Sequence, residues 1–309
     1  MQLPEELRLA IDRIAQHSPE LQRASKALTH DYKTGRTSPF NNGAKHLAYL
    51  GARMPATYTA VHKILQHLPP CNHLLDLGAG PGTASWAAVD LFPSLQKITL
   101  IEKSSEAIAL GQSLAKFSSH SVLQQAQWIQ QTLPGPLPKA DAAIFSYVLT
   151  ELSDPEAAIE LCWQAAPLLA IVEPGTPKGF CLIRKIRQQL LALKAHIIAP
   201  CPHAFACPIQ GADWCHFSAR VERSRLHRLL KEGSLGYEDE KFSYLIASKT
   251  PLQSFSCGRI VRSPKKQSGH VRLALCATSG NLEERIIAQK DKEAYRKARH
   301  AEWGDSWEM

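Results

Sequence analysis

The sequence predicts an α/β fold, a parallel sheet with helices on both faces, carrying a helical N-terminal region and a cysteine-rich insertion. Three observations predict it. Short apolar runs alternate with stretches of helical spacing between His73 and Leu193, a pattern in which crossover helices cover a parallel sheet. A glycine-rich turn, Leu75-Asp76-Leu77-Gly78-Ala79-Gly80-Pro81-Gly82, closes the first of those runs. Four cysteines, Cys201, Cys207, Cys215 and Cys276, stand in the second half of the chain, the first three in a Pro-rich stretch that follows neither period.

Bulk properties limit what these features do. With 309 residues and an apolar content of 44%, the chain can bury one large core, or a core plus a smaller module. Its first residues, Met-Gln-Leu-Pro-Glu-Glu-Leu-Arg, lack the apolar or Arg/Ser-rich character of a targeting segment, so a cytoplasmic protein is expected. The apolar stretch Leu161 to Val172 is short and broken by Trp163-Gln164, which points to a soluble protein with no membrane partner. Eight cysteines in such a chain are expected as thiols, serving metal, reactivity or packing rather than disulfides. The net charge of +8 fits a polyanionic partner. The excess lies in three stretches after the glycine turn: Lys178 to Lys194, Arg220 to Lys231 and Arg259 to Arg272.

In chain order, residues 1–68 show helical spacing (Leu7, Ala10, Ile11, Ile14; Ala60, Val61, Ile64, Leu65) and form the helical N-terminal region. A Rossmann-like core is expected over 69–195. Its strands are Leu74 to Leu77, Ile98 to Glu102, Ala140 to Ser146 and Leu168 to Glu173, with a further strand near Gln127-Trp128. Its helices are Thr83 to Leu91, Ser104 to Lys116, Pro155 to Ala165 and Phe180 to Leu193. Residues 196–240 make the cysteine-rich insertion and a basic helix. In 241–309, Phe242 to Ser248 and His270 to Ala277 are expected to close the sheet as an antiparallel pair, joined by the basic linker Arg259 to Gly269.

The glycine turn has a chemical reading. Gly78 and Gly80 let the backbone turn sharply after the strand and approach a ligand, and Gly82 opens a helix whose N-terminus offers free N–H groups. A dinucleotide fingerprint requires a third glycine where Thr83 stands, whereas Asp76-x-Gly78-x-Gly80-x-Gly82 is the tighter spacing seen with S-adenosylmethionine. Glu102, at the end of the second strand, is placed to take both ribose hydroxyls. The competing reading is a strand-to-helix turn that binds nothing.

The spacing C-x5-C-x7-C with a distant fourth cysteine does not match the paired knuckles of structural zinc. An iron–sulfur cluster, whose ligands come from irregular loops, fits better. His203 and His216 keep a mixed Cys/His zinc site open, Cys257 rivals Cys276 as fourth ligand, and unligated thiols are the remaining reading. Cys71, Cys162 and Cys181 are expected in packing roles.

Cys201-Pro202-His203, Cys207-Pro208, Asp213-Trp214-Cys215-His216-Phe217, Tyr237-Glu238-Asp239-Glu240-Lys241-Phe242-Ser243-Tyr244-Leu245 and Gly269-His270-Val271 with Cys276 closely resemble one family. It is the methyltransferase-like family that assembles the small ribosomal subunit, known from mitochondrial members. Tyr49-Leu50-x-x-Arg53-Met54-Pro55-Ala56-Thr57-Tyr58 and Trp303-Gly304-Asp305 extend the resemblance over about residues 46 to 305. It implies a class I S-adenosylmethionine-dependent methyltransferase fold and a [4Fe-4S] cluster on Cys201, Cys207, Cys215 and Cys276, with zinc as the lesser alternative. It also implies a partnership with the small ribosomal subunit and its rRNA, rather than DNA.

The acceptor is not written in the sequence. Ser146-Tyr147-Val148-Leu149-Thr150-Glu151 lacks the Asn/Asp-Pro-Pro-aromatic signature of amine methylation and the Pro-Cys pair that attacks cytosine carbon, although Tyr147 and Glu151 are candidates for shaping an acceptor pocket. Arg220, Arg223, His227 and Lys231 are expected along one face of a helix facing RNA phosphate, and Arg259, Arg262, Lys265 and Lys266 on a linker that orders against RNA; a solvated helix face is the plainer alternative. Three functions follow: an rRNA methyltransferase, a non-catalytic assembly factor that keeps the fold for binding, or an NAD oxidoreductase with a redox cluster, which Thr83 disfavours.

Overall fold

Alternation of apolar strands with amphipathic helices produces the expected layered architecture, seen in a computed structural model that describes residues 1–15, 48–231, 235–252 and 257–308. Helix α1 (Glu5–Ala15) is followed, beyond the undescribed stretch, by a π-helical turn (Tyr49–Arg53) that runs into α2 (Met54–Leu65), where Pro55 occupies the first turn. Next come β1 (His73–Leu77), α3 (Thr83–Leu91), β2 (Lys97–Glu102), α4 (Ser105–Ala115), α5 (Ser121–Gln124), β3 (Gln127–Gln130) and β4 (Ala142–Ser146). A single 3-10 turn (Leu149–Glu151), α6 (Pro155–Ala165) and β5 (Leu168–Pro174) follow. The rest of the chain forms α7 (Pro177–Ala192), β6 (His196–Ala199), β7 (Phe217–Glu222), α8 (Arg225–Lys231), β8 (Tyr237–Ser248), β9 (Cys257–Ile260), β10 (Lys265–Gln267), β11 (His270–Cys276), β12 (Leu282–Ala288), α9 (Lys292–His300) and β13 (Ser306–Glu308). Side-chain caps start the helices: Ser104 Oγ accepts from Ala107 N, Asp154 from Ala157 N and Thr176 Oγ1 from Gly179 N.

The chain divides into two compact units, Met1–Glu173 with Ala219–Glu240, and Pro174–Ser218 with Lys241–Met309. In the first unit, β1 runs parallel to β2 (Leu75↔Thr99) and to β4 (Leu75↔Ala143), β2 to β3 (Leu100↔Trp128), and β4 to β5 (Ile144↔Ala170). The order β3-β2-β1-β4-β5 places the reversal of winding between β1 and β4. Leu74, Leu75 and Leu77 are buried, as are Ala142 to Phe145, because helices cover both faces of a parallel sheet. This is the α/β, Rossmann-like arrangement of a parallel sheet that the strand–helix alternation predicts.

In the second unit, β6 pairs antiparallel with the end of β8 (Ile197↔Ala247). A separate five-stranded sheet has the order β10-β11-β9-β13, with β12 on the other side of β11. Ile260, Val271, Leu273, Leu275 and Trp307 form its core with Ala298 of α9. The expected closing pair is therefore corrected: β8 and β11 lie in different sheets, because β11 finds hydrogen-bond partners on both sides among β9, β10 and β12. No helix among the described residues is long and apolar enough to cross a membrane.

Candidate functional site

Each unit contains one cavity that gathers the residues singled out by the sequence. In the first unit it opens at the carboxyl ends of β1, β2 and β4, where the winding reverses and α/β sheets place ligands. Gly78, Gly80, Glu102, Gln131, Tyr147 and Glu151 line it. Gly78, Gly80 and Gly82 have φ of 66°, 54° and 83°, in the left-handed region that favours glycine. A Cβ on Gly78 would stand 2.4 Å from Val148 Cγ2.

The two acids flanking the turn do different work. Glu102 Oε2 accepts from Gly80 N at 2.9 Å, and Oε1 accepts from Ser104 N at 2.9 Å, so this carboxylate braces the turn while lining the cavity. Asp76 lies beneath, 1% exposed, accepting from Ser85 N (3.1 Å) and Ser85 Oγ (2.8 Å) in the first turn of α3. Burial pushes its carboxyl up to about 6 despite these bonds. Asp76 and Gly82 do not line the cavity; they shape the turn that does.

Tyr147 is buried with φ of 58°, a costly conformation for a bulky residue. Its hydroxyl donates to Glu240 Oε1 (3.1 Å), and Glu240 receives both Arg53 NH2 (3.0 Å) and NH1 (3.3 Å). Burial, with the Glu240 charge beside it, pushes the Tyr147 phenol up. Glu173, 0% exposed at the end of β5, accepts from Leu149 N (2.8 Å) and Thr150 Oγ1 (2.9 Å) and so fixes the turn that carries Glu151. Burial raises Glu173 to about 7. Glu151 is also pushed up to about 7 by the protein packed around it, opposed by Lys103, but its residue remains solvent-exposed and water screens part of that effect. Sequence reasoning missed Gln131, Arg53 and Glu240. The signal for the pair was present, since both lie within motifs that carry the family resemblance.

In the second unit, Cys201, Cys207, Cys215 and Cys276 line one cavity, together with His203, Arg187 and Arg259. Cys257 is not among its walls. All eight cysteines are free thiols; Cys71 and Cys162 are buried as expected, whereas Cys181 is exposed, which corrects its assignment to packing. His203 Nε2 lies 3.3 Å from Cys276 Sγ, Arg187 NH2 donates to His203 O (2.7 Å), and Arg259 donates to Pro200 O (3.1 Å) and Gly304 O (2.8 Å). Burial followed by the charges of neighbouring cysteines pushes Cys276 up to about 12, and the same causes raise Cys215. Among the described residues no group of three or more His, Cys, Asp or Glu side chains is arranged to hold a metal ion, so the cysteine cavity is shown and a metal centre is not. Arg187 was missed, yet it was legible: with Ile183, Ile186 and Leu190 it lies on the buried face of α7.

The expected RNA-facing residues are largely engaged elsewhere. Arg220 is on strand β7, not on a helix; it pairs with Asp239 (3.0 Å) and stacks on Tyr237 (4.2 Å). Arg223 precedes α8 and pairs with Glu238 (2.8 Å), and His227, 0% exposed, lies 3.2 Å from the same carboxylate. The side chain of Lys231 lies outside the described residues. Arg259 is buried in the cysteine cavity, and Arg262 pairs with Asp213. The single basic helix face is therefore corrected: the alternation Phe217, Ala219, Val221 makes the segment around Arg220 a strand, and acids on β8 neutralise its arginines. Lys265 and Lys266 remain exposed on β10.

The family model described as mitochondrial small ribosomal subunit Rsm22 matches residues 43–308. A ribosome assembly protein of Homo sapiens, mitochondrial METTL17, is 26% identical over 285 residues, covering 84% of this chain and 61% of that protein. A mitochondrial Rsm22-cox11 tandem protein of Schizosaccharomyces pombe is 27% identical over 326 residues, covering 84% and 42%. The chain thus spans about 61% and 42% of the lengths of these two relatives. A SAM-dependent methyltransferase structure from Aquifex aeolicus shares 16% identity at a TM-score of 0.44, covering 69% of this chain and 98% of that one, too loose a likeness to carry an argument. The family and these relatives are mitochondrial by description, which overturns the expectation of a cytoplasmic protein. That expectation rested on the character of eight N-terminal residues, which carries no such information.

Proposed function

The chain belongs to the Rsm22 family, and from that premise we propose that it acts in assembly of the small ribosomal subunit, binding S-adenosylmethionine in the first-unit cavity and a four-iron cluster in the second. The observation that carries the assembly role is the family match over residues 43–308. The cofactor assignment is supported by the convergence of Gly78, Gly80 and Glu102 on one cavity at the reversal of winding. There the turn lets backbone approach a ligand, and Glu102, with lone pairs beyond those facing Gly80 N and Ser104 N, can accept from ribose hydroxyls. Bound S-adenosylmethionine would supply an electrophilic methyl group. Tyr147, held by Glu240, walls the space beside it, and Glu151 at the rim offers a carboxylate able to accept a proton.

The cysteine cavity fits a cluster in its donor set. Burial, and then the charge of neighbouring cysteines, raises the proton affinity of Cys201, Cys215 and Cys276, a penalty that a bound cation inverts by drawing off the protons. Small-subunit rRNA is the proposed macromolecular partner, with Lys265 and Lys266 as its exposed phosphate contacts and Arg220 as a contact that must first leave Asp239.

Methyl transfer to rRNA is a second reading, favoured by Tyr147 and Glu151 lining the same cavity as the glycine turn. One experiment separates the two. Purified protein is incubated with radiolabelled S-adenosylmethionine and small subunits from cells lacking it, beside a Gly80→Arg variant. Subunit binding by both proteins without label in RNA supports assembly alone. Label that enters RNA with turnover and vanishes in Gly80→Arg establishes the enzyme, whereas loss of subunit binding by the wild type removes both.

A further inference from the structure

We infer that Arg187, Arg259 and His203 form a charge-matched donor shell around the four-cysteine cavity, holding a cluster through N–H donation and offsetting its negative charge. This rests on the cluster of the proposed function. Arg187 and Arg259 are 3% and 6% exposed. Guanidinium keeps its proton at any physiological pH, so both charges are permanent, and burying them is costly unless an anion meets them. Arg187 donates to the carbonyl of His203, and Arg259 to the carbonyls of Pro200 and Gly304. Neither forms an ion pair with a described carboxylate, and Arg187 Nε is buried without a partner.

The walls identify the missing anion. No acidic residue lines the cavity; besides the buried Arg187 and Arg259, the half-buried Arg184, which donates to Ile209 O, and His203, its ionisable groups are the four cysteines and the phenol of Tyr244. Neutral thiols leave the guanidiniums uncompensated. Four thiolates on an oxidised four-iron core carry a net charge of about −2, matching the two buried arginines. His203, 9% exposed, has Nε2 at 3.3 Å from Cys276 Sγ, so a neutral imidazole protonated there donates to a ligand sulfur, a contact that raises a cluster's potential.

The test uses the full chain reconstituted without oxygen from ferrous iron and sulfide. Iron content, cluster loss to a chelator and midpoint potential, titrated with dithionite as one-electron donor, are compared for wild type, Arg187→Met, Arg187→Lys and His203→Phe. The shell predicts roughly 10- to 100-fold faster loss from Arg187→Met and a more negative potential, since an added electron then meets less positive charge. Arg187→Lys restores the potential. His203→Phe lowers it while leaving both arginines in place, and carries the test if Arg187→Met does not fold. Unchanged retention and potential in folded variants overturn the shell and leave the cluster standing. A wild type that takes up no iron overturns the cluster itself, and the shell with it.

Discussion

Glu173 shows how one carboxyl couples the rim of the first cavity to pH. It is fully buried, its proton affinity is raised to about 7 by burial, and it braces Leu149 and Thr150 beside Glu151. A raised carboxyl pKa means that the folded protein binds the proton more tightly than the unfolded chain does. Between the unfolded value near 4.5 and about 7, stability therefore falls as pH rises. Glu173→Gln removes that dependence, so the stability difference between variant and wild type grows in favour of the variant from pH 5 to pH 8, by on the order of 3 kcal/mol at most. Urea melts at both pH values measure it, and a pH-independent difference would show that Glu173 does not titrate in this window. Gly78 supplies a second residue-scale case. Its φ of 66° and the 2.4 Å approach of Val148 to an added Cβ predict that Gly78→Ala costs roughly 2–4 kcal/mol. A melt indistinguishable from wild type would contradict that packing.

At the scale of elements, the start of β8 secures the loop after β4. Glu240 binds Arg53 through two nitrogens and receives the Tyr147 hydroxyl, and its side chain and that of Arg53 are 12% and 15% exposed. Glu240→Ala leaves a largely buried guanidinium without its carboxylate and is expected to cost about 3 kcal/mol. Adding Arg53→Met recovers part of the loss, and a double-mutant cycle that returns simple additivity would deny the coupling. The Rossmann elements were legible because strand and helix periods alternate without interruption from His73 to Leu193. Strand β7 was not, because Arg220 fits a helical spacing with Arg223 and His227 beyond the strand, while Phe217, Ala219 and Val221 recorded the period of two that prevails. Strand β12, Leu-Glu-Glu-Arg-Ile-Ile-Ala, was hidden because Glu283, Glu284 and Arg285 put charge on both of its faces and so break the alternation of apolar and polar positions. The four cysteines were legible as a set because their residue type is chemically distinctive. Arg259, expected on an exposed linker, is buried in the wall of the cysteine cavity, which the sequence does not show because a buried arginine and a solvated one are the same letter.

For the whole molecule, the division into two units assigns one cavity to each, the glycine turn to the first and the cysteines to the second. A ligand stabilises the state it binds by mass action, about 2.7 kcal/mol at a hundredfold excess over its Kd, and local hydrogen exchange slows most where opening breaks the site. S-adenosylhomocysteine, a probe with the same adenosine and no transferable methyl, is therefore expected to protect amides of residues 76–82, 101–104 and 146–152, around the first cavity. Cluster reconstitution is expected to protect residues 183–187, 200–217 and 257–276, around the second. Hydrogen–deuterium exchange followed by mass spectrometry, with each ligand added alone, resolves the two patterns. Protection by the homocysteine derivative confined to the cysteine segments would refute the placement of the adenosyl site. Protection of both sets by either ligand alone would instead reveal a coupling free energy between the sites, and it would have to be reciprocal.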